Sequence, residues 1–174
     1  MRIRRLTRDA MLAGVALIIF LVELQLPPLT PIPGIKLGLA NIITVYAVFA
    51  LGGADTAGIL ACRLLLGTIF SGNFSALMYS AAGGLVCLLA QLLLRRVLAR
   101  RQIWAASVVG AAAHNTGQIA VAIAVTQTPG LLAYLPALIA AGMAAGLFTG
   151  LCAQALVRRA DILNGRKSPP EEKS

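Results

Sequence analysis

Apolar residues run through this chain in long stretches, broken by proline, glycine and arginine rather than by the polar positions of amphipathic elements. Six stretches stand out. The first covers about Met11 to Leu26 and stops at Pro27-Pro28; the second follows PIPGIK, covers about Leu37 to Leu51 and ends at Gly52-Gly53. The third covers Thr56 to Phe70, the fourth Phe74 to Leu94, the fifth Ile103 to Val125 and the sixth Leu131 to Val157. Stretches of this length predict bilayer-spanning helices, because a helix satisfies its own backbone N–H and C=O groups where no water is available. The first three are short for a hydrocarbon core about 30 Å thick, which predicts local thinning or extension of the helices into their loops.

Composition agrees with the pattern. Of 174 residues, 59% are hydrophobic and 12% charged, with a mean hydropathy of +0.85; soluble domains carry about 25% charged residues. The expected fold class is an all-α membrane protein, a bundle of six transmembrane helices. Its expected organisation is a basic N-terminus over residues 1–10, a transmembrane domain over 11–157 and a polar tail over 158–174. The start, MRIRRLTRDAMLAGVALIIF, has the basic and apolar parts of a signal peptide. No small-x-small cleavage site precedes Pro27 and five further stretches follow, so it reads as the first helix. The tail DILNGRKSPPEEKS reads as disordered.

The fifteen Lys and Arg residues set an orientation. Arg2, Arg4, Arg5 and Arg8 precede the first stretch; Arg95, Arg96, Arg100 and Arg101 separate the fourth and fifth; Arg158, Arg159, Arg166, Lys167 and Lys173 follow the sixth. With six spans all three clusters fall on one side, which the positive-inside rule makes the cytoplasm, so a multi-pass protein of the cytoplasmic (inner) membrane is expected, with both termini in the cytoplasm. The net charge of +9 is thereby read as an orientation signal and a contact with anionic lipid, with no nucleic acid as partner. Cys62, Cys87 and Cys152 fall inside predicted spans without metal-ligand spacing, so they read as small packing residues, with no metal site and no cofactor.

Small residues recur at helical spacing. Gly142, Gly146 and Gly150 place a GxxxGxxxG face on the sixth span, expected to pack against a neighbouring helix of the bundle. Ala10 and Gly14 repeat the spacing at the start of the first span, where either intramolecular packing or the docking of another membrane subunit would use it.

Three polar side chains interrupt the fifth span in GAAAHNTGQIAVA: His114, the single histidine, with Asn115 and Gln118. His114 and Gln118 are four residues apart and share one face, with Asn115 beside them. Such groups are costly against lipid and should face the bundle interior, either as bonds between helices or as a ligand site. Arg63 lies near the middle of the third span. Glu23 is near the outer end of the first, Lys36 and Asn41 at the outer start of the second, and Asn73, Ser75 and Tyr79 at the outer start of the fourth. Together these predict a solute pocket in the outer half of the bundle; the competing use is an Arg63–Glu23 pair that only holds helices in register.

The segments PGIKLGLANI (Pro33 to Ile42), SGNFSALMYSAAGG (Ser71 to Gly84) and GAAAHNTGQ (Gly110 to Gln118) resemble the family called both Gx transporters and heptaprenyl diphosphate synthase component I. The resemblance runs from about Arg8 to Arg159. It implies a fold related to the six-helix substrate-binding S components of energy-coupling-factor transporters. There a small-residue motif in the first helix docks on a transmembrane coupling subunit; Ala10 and Gly14 are the matching positions. Partner ATPases in other chains are implied with it.

The two family names imply different chemistry. Prenyl diphosphate synthesis needs carboxylate clusters that hold Mg²⁺ against a diphosphate. The six acidic residues are Asp9, Glu23, Asp55, Asp161, Glu171 and Glu172, and only the last two are neighbours, in the polar tail. No GxxxxGK[ST] loop occurs, so the chain is no ATPase by itself. The expectation is a non-enzymatic, membrane-embedded subunit that binds a small solute for an energising partner. The surplus of Lys36 and Arg63 over Glu23 favours an anionic or partly anionic solute, and the family name suggests isoprenoid or quinone precursors. The alternative is a non-catalytic membrane subunit of a heptaprenyl diphosphate synthase.

Overall fold

In a computed structural model of the chain, residues 2–25, 38–72 and 74–163 are described. Lys36 and Asn73, two of the expected pocket residues, lie outside them, as does the tail from Asn164 onward. The described residues form six α-helices and no strand: α1 (Arg2–Gln25), α2 (Asn41–Ala50), α3 (Gly53–Ser71), α4 (Phe74–Leu94), α5 (Ile103–Thr126) and α6 (Leu135–Leu163). Short 3₁₀ segments, Arg100–Gln102 and Pro129–Tyr134, lead into α5 and α6.

Four of these helices, α3 to α6, are long and apolar enough to cross a membrane. Their outward faces carry Leu65, Ile69, Leu85, Leu89, Phe148 and Leu151 in exposed positions, a surface suited to lipid and unsuited to water. The first two helices differ from the expected spans. α1 begins at Arg2 and so takes the basic N-terminus into the helix. α2 begins at Asn41 instead of Leu37 and has 10 residues, about 15 Å of helix and half a bilayer core. It is buried on most of its circumference, with Ile43, Thr44, Val45, Ala47, Val48 and Phe49 all inside, which is why its sequence is apolar without a polar stripe. α6 starts later than expected, at Leu135, because Pro129–Tyr134 forms the 3₁₀ segment; it continues past Val157 to Leu163.

Glycines set the closest packing. α5 is clasped between α4 and α6. A Cβ on Gly150 would stand 2.7 Å from Trp104 Cα, and one on Gly146 would stand 2.9 Å from Ala111 Cβ. On the other side of α5, Gly117 lies against Gly83 and Ala82 of α4. Val45, Val48 and Phe49 of α2 meet Leu60, Leu88, Ile103, Ala153 and Val157 in the main apolar core. Gly52 turns the chain from α2 into α3 at φ +136°, a backbone region that side chains rarely adopt, and its backbone N–H still reaches Ala47 O at 3.1 Å.

Polar contacts gather the basic clusters at one end of the bundle. Arg5 binds Asp55 through Nε at 2.8 and 3.0 Å, and Arg8 joins the same carboxylate at 2.9 Å, tying the start of α1 to the start of α3. Arg95, at the end of α4, lies against Gly52. Arg100 pairs with Asp161 of α6, Nη1 to Oδ1 at 2.7 Å. If this end faces the cytoplasm, cysteines introduced singly, in a chain with Cys62, Cys87 and Cys152 replaced by alanine, should separate cleanly. Thr128→Cys, exposed at the far end, should react with an impermeant thiol reagent applied to whole cells, and Ala99→Cys should react only after lysis. Labelling of Ala99→Cys in intact cells would invert the orientation.

Candidate functional site

All six helices contribute to one cavity of about 360 Å³ inside the bundle. Arg63 projects into it from α3 and is 8% exposed. Its Nη1 donates to Asn41 Oδ1 at 3.2 Å, the one hydrogen bond that the guanidinium makes among the described residues. A guanidinium has five N–H donors, so most of its capacity is directed at the cavity.

Glu23 lines the same space but does not pair with Arg63. Its carboxylate accepts the backbone N–H groups of Gly38, at 2.5 Å, and Leu39, at 3.1 Å, and so ties the end of α1 to the chain just before α2. The register pair is therefore replaced by two separate jobs. Glu23 anchors backbone, and Arg63 remains a buried cation without a carboxylate partner among the described residues.

Of the other expected pocket residues, Asn41, Tyr79, His114, Asn115 and Gln118 all line the cavity. The imidazole of His114 and the side chain of Gln118 lie against Gly83, whose missing side chain makes room for them. Asn115 is committed to structure as well: its Nδ2 donates to Leu138 O at 2.5 Å, and Gly142 leaves space for the amide. The small residues at 142, 146 and 150 thus face α5, while Ala10 is exposed and a Cβ on Gly14 would have nothing within 4 Å.

The cavity also reaches residues that the sequence reading passed over. Gln91 of α4, Ser107 of α5 and Thr149 of α6 line it toward the arginine-rich end, and all three are buried. The polar lining is not confined to the outer half. A glutamine inside a hydrophobic span is a signal of the same kind as His114, but Gln91 sits among leucines a few residues before Arg95 and reads as interfacial.

The other acidic residues among those described are occupied elsewhere. Asp9 pairs with Arg8, Asp55 with Arg5 and Arg8, and Asp161 with Arg100. Among the described residues no three His, Cys, Asp or Glu side chains come together. The site offers a cation, amides, an imidazole and hydroxyls.

Residues 12–156 match the family described as heptaprenyl diphosphate synthase component I. The chain belongs to this family. Neither the curated proteins nor the solved structures give a match. The family is named for a component of a synthase, in keeping with a chain whose described carboxylates are engaged by arginines or backbone and so are not arranged around a diphosphate.

Proposed function

We propose that the protein is a non-catalytic membrane subunit that holds a small anionic or partly anionic solute in the Arg63 cavity for a partner made by other chains. The observation that carries this is the guanidinium of Arg63, buried within the bundle, lining the cavity and bonded only to Asn41 among the described residues. A cation is costly in such surroundings unless an anion completes it, and an intramembrane charge facing a cavity marks a solute or ion site. The family match favours a heptaprenyl diphosphate synthase chain as the partner.

The second reading, uptake in the manner of an S component with a coupling subunit and ATPases, is favoured by α1. Its Ala10 and Gly14 present a small-residue face that no other helix of the bundle covers at Gly14, and such faces admit close approach of a helix from another chain.

One experiment tests both. The full chain is extracted from native membranes in polymer nanodiscs, and co-purifying chains and small molecules are identified by mass spectrometry. A prenyl synthase chain together with a bound acid supports the first reading; a coupling subunit with ATPases supports the second. Recovery of neither partner nor small molecule above background would overturn the proposal. Gly14→Leu is expected to lose the partner while the melting temperature stays within a few degrees, because the added side chain enters open space. A large loss of melting temperature would instead make that face part of the bundle's own packing.

A further inference from the structure

The inner end of the cavity has its own polar chemistry, and it differs from that of Arg63. Gln91 is 2% exposed, lines the cavity, and its Oε1 has no hydrogen-bond partner. Thr44 and Gln154 also hold unpartnered buried oxygens, but neither lines the cavity. Gly110 faces the Gln91 amide so closely that a Cβ there would stand 2.6 Å from Nε2. Glycine at 110 therefore makes room for this side chain.

Beside Gln91, Ser107 Oγ lies 3.2 Å from Thr149 Oγ1, and Thr149 Oγ1 lies 3.2 Å from Gly146 O. A threonine hydroxyl has one proton. When Thr149 donates it to the Gly146 carbonyl, Ser107 donates to Thr149, and the lone pairs of Ser107 remain as acceptors. The Gln91 amide also brings the two N–H donors of its Nε2, so the inner end offers acceptors and donors together. An unpaired acceptor in a low-dielectric interior costs free energy that a hydroxyl or N–H of a bound molecule would recover.

The spacing between the two ends follows from the helices. Cys87 and His114 line the cavity within electrostatic reach of Arg63; Gln91 is four residues beyond Cys87, and Ser107 is seven residues before His114. We propose that the cavity is two-ended: it takes an elongated solute with an anionic group at Arg63 and a hydroxyl, which both donates and accepts, at the Gln91 amide and Ser107, separated by roughly 6–10 Å at 1.5 Å per helical residue. This rests on reading the cavity as a binding site and narrows its substrate class. A plain prenyl chain, which ends in methyl groups, would leave the inner acceptors unpaired.

The test compares two acids of equal chain length, hexanoate and 6-hydroxyhexanoate, by calorimetry on the full chain in nanodiscs. The hydroxy acid is expected to bind about 5- to 10-fold more tightly, the yield of one well-made neutral hydrogen bond. In Gln91→Leu the ratio should fall to about one. Gly110→Ala, which pushes the amide aside without changing its chemistry, should lower the ratio as well. Equal affinity of the wild-type chain for the two acids, with both still weakened by Arg63→Gln, would overturn the two-ended cavity and leave the anion site standing. Binding of neither acid would overturn the anion site and the two-ended cavity together. The wild-type comparison needs no variant, so a poorly folding Gln91→Leu does not protect the idea.

Discussion

Arg63→Gln should weaken binding of hexanoate, or of any acid recovered with the protein, by about 10- to 100-fold, the range expected for losing a hydrogen bond to a charged group. The same variant should melt at or above the wild-type temperature. Among the described residues Arg63 makes one hydrogen bond, to Asn41, and removing a buried cation relieves the cost of keeping it out of water. His114→Ala and Gln118→Ala should weaken binding less, since each removes a neutral partner. Asn115→Ala provides the contrast: its amide bonds Leu138 O on α6, so its loss should appear chiefly in stability. Calorimetry and thermal unfolding on the same purified variants separate these effects. Unchanged affinity with a lowered melting temperature in Arg63→Gln would make this residue structural and remove the basis of the binding site.

The largest effect on stability is expected at the α5–α6 contact. In Gly150→Leu the new Cβ would fall 2.7 Å from both Ser107 Cβ and Trp104 Cα. Backbone cannot yield as a flexible side-chain tip does, so the helices must separate and the neighbouring contacts are lost with them. A cost of about 3 kcal/mol, at the upper end of ordinary overpacking, is expected. Gly58→Leu is the control. It sits on an exposed part of α3 with nothing within 4 Å of its Cβ, and helix propensity favours leucine over glycine there. Unfolding in graded denaturing detergent should therefore move in opposite directions for the two variants. An unshifted midpoint for Gly150→Leu would mean that α5 and α6 do not approach as closely as their glycines allow.

The carboxylate of Glu23, which lines the cavity but binds backbone instead of Arg63, shows where a sequence reading of the site stops. Glu23 and Arg63 are the natural pair when only charges along the chain are considered. In the folded chain two backbone N–H groups, from Gly38 and Leu39, take the carboxylate, and nothing in the identity of those residues announces it. Every backbone offers the same donors, and only the course of the chain brings a particular two to a particular side chain.

The chain's residues by themselves determined that the long elements are helices in an apolar solvent, because a membrane interior leaves the backbone no other local way to satisfy its polar groups. α4 runs from Phe74 to Leu94 as the apolar stretch does, and α5 extends it by one residue. They also determined that Arg63, His114 and Gln118 should face inward, since each is too polar to stand against lipid. The rotation and depth of each helix within the bundle were decided by tertiary packing, through glycine contacts such as Gly83 with His114 and Gly150 with Trp104. That packing sank the ten residues of α2 into the core. It also carried Gln91, Ser107 and Thr149, from three different helices, to one end of the cavity. Periodicity within a helix specifies which residues share a face, but the partner to which that face turns is a property of the assembled bundle.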